Sequence, residues 1–264
     1  MSAHHRPGPH ELGQNHLTDR RIVDEIVALV ADRDLPVVEW AAGTGAITRG
    51  LARLGRPVEA VELDPRSLEH LRRIAGPHVR VTDHDILRHA PPTTDHDLVA
   101  NVPFALTTPV LRRLLRLGAW QRSVLVTQWE VARKRAGVGG ATLLTAQWWP
   151  WYRFTLQRRI AASAFRPRPS VDAGLLVVDR RPRALVPERP GYQAWVRSVF
   201  QGRGRGVPDI LVRSGIPRSA VRSWASEHQV TERSLPRDLT AQQWAAGHAL
   251  ATGARRVAGR GIRR

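Results

Sequence analysis

A short apolar strand that runs straight into a glycine turn and a helix constrains this chain more than any other feature. Leu35-Pro36-Val37-Val38-Glu39-Trp40 reads as a buried strand. It passes into Ala41-Ala42-Gly43-Thr44-Gly45-Ala46-Ile47-Thr48 and then a helix through Leu51 and Leu54. Strand, Gly-rich turn and helix form the opening of an α/β sheet that binds a nucleoside or phosphate, because glycine lets the backbone come close to a ligand. A dinucleotide-binding turn fits poorly. G-x-G-x-x-G spacing counted from Gly43 puts Thr48 where the third glycine belongs.

The following segments extend that frame. Val58–Asp64 reads as a second strand ending in acids, and an acid there commonly accepts from a ribose diol. Glu62 is assigned that role, with Asp64 as helix cap or charge partner. A helix follows through Leu68, Leu71 and Ile74, then a third strand at Val79-Arg80-Val81. After it, Asp85 can accept from an adenine amino group and Ile86 can pack on the ring. Asp97–Ala100, Ser123–Thr127 and Gly174–Val178 are further strands, and Thr107–Leu117 is an Arg-rich helix. The order predicts an α/β fold with a parallel sheet and ligand sites at the carboxyl ends of its strands. Upstream, Ile22, Ile26, Leu29 and Val30 recur at helical spacing in a helix capped by Thr18 or Asp19. Just ahead of it, the amides of Gln14 and Asn15 can bind a carboxylate or amine.

The fourth strand ends in Asn101-Val102-Pro103-Phe104. Asn101 carries a side-chain carbonyl, and Val102 precedes a proline, which favours an extended backbone. Two carbonyls side by side at a strand end can grip an exocyclic NH₂ group, and Phe104 offers a flat face to a planar base. Such a pair of acceptors suits transfer to an adenine amino group, whose lone pair is delocalised into the ring. Hydrogen bonds to fixed carbonyls favour a more pyramidal, nucleophilic nitrogen in the transition state. Alone, the same four residues also read as a plain turn.

Charge supplies the partner. The 264 residues carry 41 basic and 23 acidic side chains, a net charge of +18, and Lys134 is the single lysine. Guanidinium groups bind phosphate bidentately and stack on bases, so a polyanion is the expected partner. There is no cysteine, which excludes disulfides, thiolate metal sites and a Cys nucleophile. Neither a signal-peptide pattern nor a run of about 20 apolar residues is evident, which points to a soluble cytoplasmic protein without a membrane partner.

The remaining stretches divide the chain. Residues 1–182 form the expected catalytic domain, with a basic-glycine loop at Arg133–Gly140 and three tryptophans in Thr142–Trp151 that read mostly as core. Ala164–Val171 is a proline-punctuated loop presenting Phe165 beside Arg166 and Arg168, a simple connection or a cover over a flipped base. After a linker at Pro182–Pro190, short amphipathic helices make residues 183–251 a small helical domain. Residues 252–264 are Gly/Arg-rich and read as a basic tail, disordered until it meets phosphate.

Taken together, Gly13-Gln14-Asn15, Glu39–Thr48, Glu62-Leu63-Asp64, Asp85-Ile86-Leu87, Asn101-Val102-Pro103-Phe104 and Phe165–Val171 resemble the ribosomal RNA adenine N6-methyltransferases. Gln128–Lys134 and Trp148–Tyr152 resemble the erythromycin-resistance (Erm) branch. The resemblance runs closely from Gly13 to about Arg181 and loosely beyond. It implies a Rossmann-like S-adenosylmethionine-dependent fold and methylation of one adenine in the peptidyl-transferase loop of 23S rRNA. That modification gives macrolide, lincosamide and streptogramin B resistance. The enzyme is expected to act as a monomer, before full ribosome assembly and without a metal. Gln14, Asn15, Leu17, Ala41, Gly43, Gly45, Glu62, Leu63, Asp85, Ile86 and Asn101 map to the cofactor. Asn101, Val102 and Phe104 map to catalysis, and Phe104, Phe165, Arg133, Lys134, Arg166 and Arg168 to the RNA. Ala41 stands where the family usually has Gly, and His16 where it usually has an aromatic residue. The rivals are a small-subunit rRNA dimethyladenosine transferase and a non-catalytic nucleic-acid-binding protein of the same fold. A dehydrogenase is disfavoured by Thr48.

Overall fold

The computed structural model describes residues 15–261, with side chains as far as Ala254. Gln14 therefore lies outside the described residues, as do residues 262–264. Two compact units emerge, one built from residues 1–133 and 155–180 and the other from 134–154 and 181–264.

The first unit opens with β1 (His16–Leu17) and α1 (Arg20–Ala31). Asp19 caps α1 by accepting from the Arg21 amide, and Ile22, Val23, Ile26 and Val30 form its buried face. Next come β2 (Val37–Trp40), α2 (Thr48–Ala52), β3 (Val58–Glu62), α3 (Pro65–Ile74), β4 (Val79–Asp83) and β5 (His96–Asn101). Asp64 caps α3 through the Ser67 amide, so of its two expected roles the cap is the one seen. A 3₁₀ turn at Phe104–Leu106 leads into α4 (Thr107–Arg116), β6 (Trp120–Gln128) and α5 (Trp129–Arg135).

The sheet has seven strands, completed by β7 (Tyr152–Ile160) and β9 (Ala173–Arg180), in the order β4-β3-β2-β5-β6-β9-β7. Pairing is parallel from β4 through to β6 and antiparallel between β6 and β9. The expected parallel sheet is thus a mixed one. β2 and β5 are central and buried along almost their whole length, whereas β7 lies at an edge with Arg158 and Arg159 exposed. Charges on an edge strand resist pairing with other chains, and β7 still alternates, with Tyr152, Phe154, Leu156 and Ile160 on one face. β1 pairs with β8 (Phe165–Arg166) in a separate ribbon.

The second unit holds α6 (Leu143–Trp148), α7 (Arg189–Gln201), α8 (Val207–Arg213), α9 (Arg218–Glu227) and α10 (Ala241–Gly261). The Trp-rich run belongs here rather than to the sheet unit. Tyr192 donates to the Ala146 carbonyl, and the Gln147 and Gln193 side-chain amides each donate to the other's main-chain carbonyl. Trp148 and Trp151 are buried, with the Arg189 guanidinium over both rings. Trp244 stacks on Phe200 and meets Trp195 edge-on. Residues 252–261, expected as a disordered tail, continue α10.

Candidate active site

The parallel strands end together, and their carboxyl ends frame a solvent-open cavity. Ala41 and Gly43 follow β2, and Glu62 and Leu63 close β3. Asp85 and Ile86 follow β4, and Asn101 to Phe104 follow β5. Asn15 and His16 complete the wall.

Backbone conformation shapes the turn after β2. Ala41 has φ 56° and Gly43 φ 56°. A side chain on Gly43 would press on the His16 imidazole, about 3.1 Å from Nδ1. Ala41 occupies a left-handed conformation that glycine adopts without steric penalty and alanine does not. Gly45 does not line the cavity. A Cβ there would collide with Ile74 at 2.4 Å, so Gly45 lets α3 close over the turn.

Glu62 is the most constrained group of the wall. Its Oε2 accepts from the Gly43 amide at 2.7 Å, and its Oε1 accepts from the Leu63 and Asp64 amides at 2.8 and 2.9 Å. Three main-chain donors hold a buried carboxylate in one orientation, with lone pairs to spare for a diol. Beneath the turn lies a second acid, Glu39. Glu39 is fully buried, and burial, helped by the Glu62 charge, pushes its carboxyl up to about 8 despite the opposing Thr48 hydrogen bond. The Thr48 hydroxyl donates to Glu39 Oε2 at 2.6 Å. The residue in place of a third glycine thus supplies the partner of an acid set in an apolar strand. That acid was the available signal.

Asp85 also works locally, accepting from the Leu87 amide at 2.8 Å. The turn it begins reaches His89, whose imidazole accepts from the Trp40 indole at 3.1 Å. His89 Nε2 lies 3.4 Å from Glu59, and burial holds the imidazole below its ordinary pKa. This cluster ties the turn after β4 to β2 and β3, and no sequence motif announced it.

At β5, Asn101 Nδ2 donates to the Asn15 carbonyl at 2.8 Å, which leaves Oδ1 as the acceptor of that amide. The Val102 amide donates to Val126 of β6, and Pro103 is extended at φ −52°, ψ 127°. Phe104 packs against the core and still lines the cavity.

Other expected site residues lie elsewhere. Leu17 pairs with Phe165 across the small ribbon, and both are buried in the hydrophobic core, neither lining the cavity. Phe165 therefore has no free face for a base, because it is fully buried in that core. Arg166 and Arg168 are exposed, and Arg133 pairs with Glu130 at 3.0 Å. Lys134 is exposed in the second unit. Among the described residues no cluster of His, Cys, Asp and Glu could hold a metal, and no helix is long and apolar enough to cross a membrane.

Comparison with known proteins adds independent findings. A sequence model described as ribosomal RNA adenine dimethylase matches residues 8–250. The mycinamicin-resistance protein MyrB of Micromonospora griseorubida is 48% identical over 241 residues, 90% of this chain and 77% of that protein. An rRNA adenine N-6-methyltransferase of Corynebacterium diphtheriae is 45% identical over 211 residues, 79% of this chain and 83% of that protein. Among solved structures, the 23S rRNA methyltransferase ErmE superposes with a TM-score of 0.83 at 28% identity, covering 90% of this chain and all of that one.

Proposed function

This chain belongs to the ribosomal RNA adenine dimethylase family of methyltransferases, and on that premise we propose that it methylates N6 of one adenine in the peptidyl-transferase loop of 23S rRNA. S-adenosylmethionine is the proposed donor, and macrolide, lincosamide and streptogramin B resistance the consequence. The enzyme would act in the cytoplasm, as a monomer, on rRNA not yet assembled into ribosomes. The observation that carries the reading is one cavity joining a thrice-anchored Glu62 carboxylate to an orientation-fixed Asn101 carbonyl and the Phe104 ring.

The cavity's chemistry fits such a donor. Glu62 would accept from the ribose hydroxyls, and Asp85 and Ile86 would take the adenine amino edge and ring face. The Ala41–Gly43 backbone and the Asn15 side would flank the remainder. Bound there, S-adenosylmethionine supplies an electrophilic methyl group. The chain's own residues hold the acceptor. Asn101 Oδ1 and the Val102 carbonyl accept from the target NH₂ and favour a pyramidal nitrogen, while Phe104 stacks on the base. Positioning and electrostatics of this kind are what a protein adds to a reactive donor. Phe165, being buried, is left out of the base site.

The test is methyl transfer from labelled S-adenosylmethionine to 23S and 16S rRNA fragments, with primer extension and mass spectrometry of the product. A methyl on N6 of one 23S adenine is expected. Label on 16S rRNA alone, or none on either RNA, would refute the reading.

A further inference from the structure

A second groove shares a wall with the cavity. His16 lines both, and the groove continues over the junction of α1 and α2, where Thr18, Arg20, Thr44, Arg49 and Arg53 line it. The junction is tight. A Cβ on Gly50 would lie 2.6 Å from Val27, so α2 sits directly against α1. Arg49 lies on α2 and Arg53 caps its end, one helical turn on, a spacing of about 5–6 Å between Cβ atoms. Arg20 begins α1.

The charge in this groove is largely uncommitted. Arg20, Arg49 and Arg53 are all exposed. Only Arg53 faces a carboxylate, Asp24 at 3.7 Å, with both side chains open to solvent. Among the described residues Arg20 and Arg49 form no ion pair. The Thr18 hydroxyl is committed to the Ala164 carbonyl at 3.0 Å, which leaves the Thr44 hydroxyl and three guanidinium groups as donors against a single carboxylate, Asp24, a balance that suits phosphate contact. A base can enter the cavity only if its strand crosses the cavity mouth, so the flanking phosphates must run somewhere beside it.

We propose that this α1–α2 groove holds the backbone phosphates on one side of the target adenine, the strand turning into the cavity past His16. The inference rests on the methyltransferase function proposed above. Arg20, Arg49 and Arg53 then fix the register of the RNA rather than its chemistry.

The test is an Arg20→Gln/Arg49→Gln/Arg53→Gln variant beside an Arg66→Gln/Arg72→Gln/Arg73→Gln control, which removes the same charge from α3. Binding of a 23S rRNA fragment is measured across a salt series, with calorimetry for S-adenosylmethionine. Losing three phosphate contacts should flatten the slope of log affinity against log salt by about 2 and weaken binding about tenfold or more at low salt. S-adenosylmethionine affinity should stay unchanged. The deficit should disappear on RNA truncated on one side of the target adenine and persist on RNA truncated on the other. Groove and control variants with equal affinity and equal slope would overturn the proposal, whether or not methyl is transferred. Absence of methyl transfer by the wild type would instead overturn the function, and the binding series would still judge the groove.

Discussion

Asn101 Nδ2 donates to the main-chain carbonyl of Asn15 at 2.8 Å, joining residues 86 positions apart at the rim of the cavity. The contact fixes which edge of the Asn101 amide is left to accept. A carbonyl that is already oriented needs no rearrangement as the target nitrogen changes shape, which is where preorganised acceptors lower a barrier.

Replacing Asn101 by Ala removes that acceptor and should lower single-turnover methylation by on the order of 10²–10³. RNA affinity, measured by gel shift, should barely move because phosphate contacts dominate it. A variant that turns over like wild type would reduce Asn101–Phe104 to a turn.

Glu62→Gln keeps the size but turns an amide NH₂ toward main-chain donors that now meet a carboxylate oxygen. S-adenosylmethionine affinity should fall by about 1.5–3 kcal/mol in calorimetry, through loss of a charge-assisted acceptor. Unchanged affinity would remove Glu62 from the cofactor site.

Ala41→Gly relieves a left-handed conformation that costs an L-residue about 1–2 kcal/mol, less the extra chain entropy of glycine. Urea unfolding should show a gain of up to about 1 kcal/mol. A clear loss of stability would mean that the φ of 56° carries no strain.

Glu39 gives the fold a pH dependence. Its folded carboxyl titrates at about 8 against 4.5 ordinarily, so over that interval the folded chain holds a proton that the unfolded chain has lost. Stability therefore falls as pH rises through the interval and levels off above it. Glu39→Gln retains an acceptor for Thr48 and should flatten that decline. Urea midpoints measured on both sides of the folded value would show an undiminished slope if Glu39 were not its source.

Phe165→Ala should destabilise the chain by about 3–5 kcal/mol, as expected for an emptied core site. Phe165→Leu should retain most of the methylation rate. A variant of normal stability that no longer modifies RNA would instead restore Phe165 to the base site.

The frame of the molecule was legible in the chain because it depends on local signals. Val37-Val38 and Leu98-Val99-Ala100 are apolar runs, and Gly43 punctuates the turn between strand and helix. Asp19 and Asp64 are short polar side chains that cap the helices following them. Glu62 and Asn101 close their strands and Asp85 follows β4, so the βαβ order alone brings them to one cavity. The places where local reading failed are those that depend on what lies across space. Phe165 looks like a loop aromatic until β1 pairs with β8 and turns it inward. Gly45 looks like part of a cradle until Ile74 packs over it. The Glu39–Thr48 and Trp40–His89 pairs exist only once β2 lies next to the elements that carry their partners. Sequence therefore determined which residues could do chemistry at the strand ends. Tertiary packing decided which side chains were left facing the cavity, because burial and hydrogen-bond partners are set by neighbours distant along the chain.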